Sequence, residues 1–200
     1  MSTFRFAIMG AGNIAHQFCD AVTLVEDCEV SAIASKDLGR AQKFAEECSV
    51  AHAYDNYEQM LIEEKPDCVY IAVTPNDHFR LTMLCLEHHV PVLCEKAMFT
   101  NSAEAKAVFE KAEKDQTFVM EAMWSRFLPA VNQAKKWAAE GKIGRLEALQ
   151  GRIGFLAPEG ADNRYHSPLL CGGAATDITV YAYEIATWLV NEPVRKTYAA

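Results

Sequence analysis

An apolar hexapeptide, F-R-F-A-I-M at residues 4–9, runs directly into G-A-G-N-I-A, and strand-like and helix-like segments then alternate as far as Glu121. A further segment, C-V-Y-I-A-V at residues 68–73, is apolar throughout, the pattern of a strand covered on both faces. These three observations predict an α/β chain. An N-terminal Rossmann domain with a parallel sheet and right-handed crossovers is expected over residues 1–121. Over 122–200 the start of an α+β domain with a mostly antiparallel sheet should follow.

The first strand covers residues 4–9. In the turn after it, Gly10 permits a tight bend, Gly12 lets the backbone come close to a bound pyrophosphate, and the small Ala15 lets helix and strand pack closely. The helix over 13–25 opens with Asn13 and Ile14, where free N–H groups and a partial positive charge suit an anion. An ordinary strand-to-helix turn would use the same residues, but the position of this one favours a dinucleotide cofactor. Next come a strand over 30–35, a helix over 39–48, an extended piece at 51–54 and a helix over 57–64. The last ends before Pro66, because the residue preceding proline disfavours helix. After the strand at 68–73 follow a helix over 77–88, a strand at 90–94, a helix over 102–115 and a strand at 117–120.

Beyond Glu121 the pattern changes. A helix is expected over 128–140, a turn at 141–144, a longer strand over 146–155 and a polar loop over 157–167. After Gly172 and Gly173 a helix over 176–190 closes the list. One strand and one helix cannot cover each other's apolar faces, so this region reads as the opening of a larger domain, with residues 146–155 offering an unpaired edge.

Half of the 200 residues are hydrophobic and the formal charge is −8, which argues against a nucleic-acid or anionic-membrane partner. Seven cysteines, Cys19, Cys28, Cys48, Cys68, Cys85, Cys94 and Cys171, are scattered with no C-x-x-C, as expected for reduced thiols rather than a disulfide framework or zinc site. No charged leader precedes the first strand and no apolar run reaches membrane length, so a cytoplasmic location is expected. No metal site is expected, because no His/Cys/carboxylate cluster has ligand spacing.

Several loop residues carry chemistry. The second strand ends at Ser35, where NAD-binding folds usually carry an acid for the ribose hydroxyls. A hydroxyl can instead donate to a 2′-phosphate, and Lys36 and Arg40 add positive charge, so NADP is favoured over NAD; Asp37 opposes them. Thr74, Pro75 and Asn76 follow the strand at 68–73, at the carboxyl end where open α/β sheets bind ligands. His78 would face that crevice or cap the following helix. Glu95 and Lys96 follow the strand at 90–94 on the same side, and a lysine beside a nicotinamide can exchange a proton with a substrate hydroxyl.

Four motifs occur in order: G-A-G-N-I-A, T-P-N-x-x-H, E-K-A-M-x-x-N and G-G-A-x-x-D-x-x-x-Y. By them the whole chain resembles the glucose–fructose oxidoreductase/inositol dehydrogenase/MocA family of NAD(P)-dependent oxidoreductases. The segment M-E-A-M-W-S-R-F-L-P at 120–129 is similar to the branch holding dimeric dihydrodiol dehydrogenases and NADP-linked D-xylose dehydrogenases. The resemblance implies hydride transfer between a nicotinamide and the carbinol carbon of a sugar, polyol or cyclic diol, in a homodimer. It implies Lys96, Asp177 and Tyr181 as catalytic residues, with Tyr181 the immediate acid/base, Lys96 easing or relaying its proton and Asp177 holding the pair. Residues four apart on one helix share a face, so Asp177 and Tyr181 can point the same way. Trp124 and Arg126 match a cofactor- and substrate-facing segment.

Two departures stand out. Ala97 replaces the family's proline after the lysine, which leaves that backbone angle to packing. Family members are also longer, so the second domain is expected to be cut short at Ala200. These departures suit a rival reading, a non-catalytic nucleotide-binding or regulatory protein of the same fold. A third reading, transient use of NAD in glycoside hydrolysis, fits poorly with Ser35 and Lys36.

Overall fold

Strand and helix alternate as β1 (Phe4–Met9), α1 (Asn13–Val22), β2 (Cys28–Ala34), α2 (Leu38–Cys48), β3 (His52–Tyr54) and α3 (Tyr57–Glu64). They continue as β4 (Cys68–Ile71), α4 (Pro75–Glu87), β5 (Val92–Cys94), α5 (Ser102–Lys114) and β6 (Val119–Glu121). The structure, a computed structural model, describes residues 3–160 and 163–198. It divides into two compact units, Met1–Ala122 and Met123–Ala200.

In the first unit the strands form one sheet in the order β3-β2-β1-β4-β5-β6, and every pairing is parallel. Successive side chains of a strand point to opposite faces, so each strand serves two cores. Met9, Ala34, Ile71 and Val92 meet Met60 of α3 and Leu81 of α4 on one face. Ile8, Ile33 and Tyr70 meet Ala15 and Cys19 of α1 and Phe44 of α2 on the other. Both faces being covered explains why β4 reads as an unbroken apolar run. Phe6 pairs with Val30 and Ala7 with Ala32, so Ser31 is the extra residue of a bulge, and its hydroxyl donates to the Phe6 carbonyl at 3.3 Å.

The second unit holds a 3-10 turn at Trp124–Phe127, α6 (Pro129–Ala139), a 3-10 turn at Pro168–Leu170, α7 (Ala174–Asp177) and α8 (Thr179–Val190). Two expectations are corrected here. Residues 146–155 form no strand, and the antiparallel sheet expected for this unit has no strand among the described residues. A strand needs a neighbour to take its N–H and C=O groups, and no such neighbour is present among those residues. The helix expected over 176–190 is two helices, broken at Ile178 with φ −120° and ψ −43°. Thr176, Ile178, Thr179 and Val180 crowd β-branched side chains at that point, where helix is disfavoured. The loop expected over 157–167 is without strand or helix in its described part, and residues 161–162 lie outside the described residues. Among the described residues no helix is long and apolar enough to cross a membrane.

Phe44 is 1% exposed and its ring lies 4.4 Å from that of His16 of α1, so it ties α2 to the sheet and to α1. Phe44→Ala should cost about 3–5 kcal/mol, the scale of a large core truncation. Urea unfolding should show it as a lower midpoint with an unchanged slope. A loss below about 1 kcal/mol would mean that α2 does not depend on this contact.

Candidate functional site

The sheet order reverses at β1, which lies between β2 and β4, and a crevice opens at the carboxyl ends of strands at such a point. Gly10 leaves β1 with φ +109°. Its N–H donates to the Ala34 carbonyl at 2.8 Å, while the Ala72 N–H donates to the Met9 carbonyl at 2.8 Å. A Cβ at Gly10 would stand 2.8 Å from the Ala72 backbone, so only glycine fits. At Gly12 a Cβ would meet nothing closer than the Ala72 carbonyl oxygen at 3.9 Å, so its vacancy serves something other than packing.

The helix starts differ in a telling way. Asp37, Asn56 and Asn101 cap α2, α3 and α5 by accepting from the Arg40, Gln59 and Glu104 N–H groups at 2.7, 3.0 and 3.0 Å. The helices that follow β1 and β4, α1 and α4, start at Gly12 and Thr74 with no side-chain cap. The first N–H groups of α1 are left for an anion, and its Asn13 and Ile14 are exposed; α4 opens on Pro75, which has no N–H, so Asn76 is the first residue there with an amide to offer. This cradle fits a dinucleotide pyrophosphate.

Around it, Ser35 is buried at the end of β2, and its N–H donates to the Tyr54 carbonyl at 3.0 Å. Lys36 and Arg40 are exposed. Arg40 reaches back across the glycine turn, with Nη2 3.3 Å from the Ala11 carbonyl oxygen, and Lys36 pairs with Asp77 of α4. Thr74 and Pro75 are half-buried and Asn76 is exposed.

His78 is fully buried, which corrects its reading as a crevice-facing or capping residue. Its Nδ1 lies 3.1 Å from the carbonyl oxygens of both Ala97 and Met98, and its Nε2 lies 3.0 Å from that of Val73. Burial holds its pKa below the ordinary histidine value although the three carbonyls favour the charged form. The ring thus packs between the segment after Lys96 and the end of β4, and in its neutral form it donates to one side only. Glu95 accepts from the Tyr70 hydroxyl at 2.6 Å and from the Lys96 N–H at 3.1 Å, and Glu121 accepts from the Met98 N–H at 2.9 Å. Burial raises the Glu95 carboxyl despite these donors. The Lys96–Ala97 peptide is cis. Side chains from three elements therefore hold the half-buried Lys96 segment that Ala97 was expected to loosen.

In the second unit the Trp124 Nε1–H donates to the Tyr181 hydroxyl oxygen at 2.9 Å, with the rings edge-on at 6.0 Å. Asp177 ends α7, with Oδ1 3.9 Å from Arg164 Nη1, and Tyr181 lies in the first turn of α8. The break at Ile178 separates them, so they do not share one continuous helix face. Arg126 donates through Nε to Glu184, and its guanidinium lies 5.3 Å from the centre of the Trp188 ring. The Ser125 hydroxyl donates to the same buried carboxylate at 3.0 Å. Arg126 is thus anchored within its own unit through Nε, with 47% of its side chain still exposed. Sequence reading missed Glu184, although a lone acid in the apolar run T-V-Y-A-Y-E-I-A-T-W-L-V was a legible signal.

An oxidoreductase family with an NAD-binding Rossmann fold matches residues 4–123, and the GFO/IDH/MocA C-terminal domain matches residues 131–200. The trans-1,2-dihydrobenzene-1,2-diol dehydrogenase of Mus musculus is 32% identical over 190 residues, covering 92% of this chain and 56% of its own length. A D-xylose 1-dehydrogenase (NADP(+)) 2 of Haloferax volcanii is 30% identical over 190 residues, covering 95% of this chain and 58% of its own length. The chain therefore spans just over half the length of these curated relatives. A solved NAD-binding protein from Listeria innocua has the same fold, with a TM-score of 0.84 at 22% identity over 95% of this chain and 56% of that one.

The two glycines of the turn should separate in experiment. Gly10→Ala should lower stability by about 1–3 kcal/mol through strain, and dinucleotide binding with it. Gly12→Ala should leave the urea midpoint nearly unchanged while weakening NADPH binding by roughly tenfold or more. Equal effects of the two on stability would show that the Gly12 vacancy is structural.

Proposed function

The chain belongs to the glucose–fructose oxidoreductase/inositol dehydrogenase/MocA family, and on that premise we propose an NADP-dependent oxidoreductase acting on the carbinol carbon of a sugar, polyol or cyclic diol. The observation that carries this reading is the pair of uncapped helix starts, α1 and α4, beside Gly10 at the reversal of the sheet. The similarity to a dihydrodiol dehydrogenase and an NADP-linked xylose dehydrogenase supports the substrate class.

When bound, the nicotinamide would accept or supply the hydride. The chain's own part is binding, orientation and proton handling. Gly10, Gly12, Asn13 and Ile14 would hold the pyrophosphate, and Ser35, Lys36 and Arg40 the 2′-phosphate. Charged donors suit a phosphate, whereas an acid at the end of β2 would suit the free ribose hydroxyls of NAD. Thr74, Pro75, Asn76 and Glu95 would line the same sheet edge, Glu95 by orienting the Lys96 backbone.

Tyr181 would take or return the proton of the substrate hydroxyl, with Lys96 and Asp177 as its partners. The Trp124 N–H donated to the Tyr181 oxygen supports this assignment, because it fixes where that oxygen sits. The same reading puts a homodimer in the cytoplasm, and seven free thiols support the reducing compartment.

Lys96→Met and Tyr181→Phe should each lower kcat by roughly 10²–10⁴-fold on the best of a panel of aldoses, inositols and cyclic diols. NADPH affinity should change little, and the double variant should lose far less than the product of the two effects. Robust oxidation that survives Lys96→Met unchanged would remove the lysine from the chemistry and favour the nucleotide-binding rival.

A further inference from the structure

Between the ends of β2 and β4 lies an ion pair that engages Lys36, a cation the binding scheme above gives to the phosphate. Lys36 Nζ stands 2.5 Å from Asp77 Oδ2, and Arg80 Nε stands 3.4 Å from the other oxygen of the same carboxylate. The Asp77 side chain is 17% exposed, against 66% for Lys36 and 55% for Arg80. Burial alone would raise its carboxyl, but the hydrogen bond and charge of Lys36, with Arg80, outweigh it and hold it below the ordinary carboxylate range. The acid is therefore a fixed negative charge. The neighbouring Asp37 is occupied differently, since its Oδ1 caps α2 at the Arg40 N–H. Arg80 is also partly engaged, with its guanidinium 5.9 Å from the centre of the Tyr57 ring.

We propose that Asp77 is a specificity-determining residue that competes with the cofactor's 2′-phosphate for Lys36. This rests on the reading that Ser35, Lys36 and Arg40 receive that phosphate. A phosphate arriving at Lys36 must share or displace the carboxylate, and the two anions repel each other at short range. NAD(H) carries no 2′-phosphate and meets neither obstacle. Asp77 thus lowers affinity for the phosphorylated cofactor selectively, and it brings the two cofactors closer together than the three donors alone would. The sequence hides this, because Asp77 is 41 residues from Lys36 and reads as an ordinary acid in the first turn of a helix.

The test is direct binding, by fluorescence titration of NADPH and of NADH, to the wild type and to Asp77→Asn, Asp77→Ser and Lys36→Met. Asp77→Asn should tighten NADPH by roughly five- to tenfold and leave NADH within about twofold. Its NADPH affinity should also fall more steeply with added salt, because one compensating charge has gone. Asp77→Ser keeps a polar residue at the helix start and should behave alike, and NADH binding checks that each variant is folded. If NADPH affinity is unchanged or weaker in both Asp77 variants while Lys36→Met weakens NADPH alone, the competition is overturned and the phosphate site stands. If the wild type binds both cofactors alike and Lys36→Met alters neither, the phosphate site itself is wrong and the competition falls with it.

Discussion

The close approach of two backbones at Gly10 sets the geometry of the first unit. Where β1 ends, the chain must turn within the width of the sheet, between Ala34 on one side and Ala72 on the other. A side chain there would stand 2.8 Å from the Ala72 backbone, and φ at this residue is +109°. Satisfying both conditions draws the ends of β1, β2 and β4 together and starts α1 directly over the sheet edge. The segments proposed to bind the cofactor all leave the same edge of a parallel sheet, so their convergence follows from strand direction.

That arrangement leaves polar groups to be satisfied, and the molecule does so unevenly. Three helices of the first unit close their starts with Asp37, Asn56 and Asn101. The two beside the reversal do not. Uncapped amides are tolerable where water reaches them, and an anion serves them better. Polar side chains are spent instead on holding the loops: His78 among the carbonyls of Val73, Ala97 and Met98, Glu95 on the Lys96 amide, Glu121 on the Met98 amide. In the second unit Glu184 plays the same part, anchoring Ser125 and Arg126 beside the Trp124 that meets Tyr181.

Much of the first unit was legible because its rules are local. β1 and α3 stand where apolar spacing and Pro66 put them, and the turn at Gly10 follows from residue size alone. The strand expected over 146–155 failed because a strand is a property of a pair, and the residues of one segment say nothing of a partner. The continuous helix expected over 176–190 failed because the β-branched cluster around Ile178 disfavours helix locally, within a run that is otherwise apolar and helical. His78 and Asp77 were misjudged or overlooked because a loop motif does not reveal which polar side chains turn inward. Distant pairs such as Lys36 with Asp77 and Ser125 with Glu184 depend on packing that no local pattern encodes.

Amide hydrogen exchange with and without saturating NADPH tests the central claim most directly, because it reads the backbone N–H groups assigned to the anion. The account predicts protection concentrated in residues 10–15, 35–40 and 74–78, with the outer ends of β1 and β4 little changed. Protection that misses residues 10–15, or falls only within 123–198, would contradict the placement of the cofactor at the Gly10 turn.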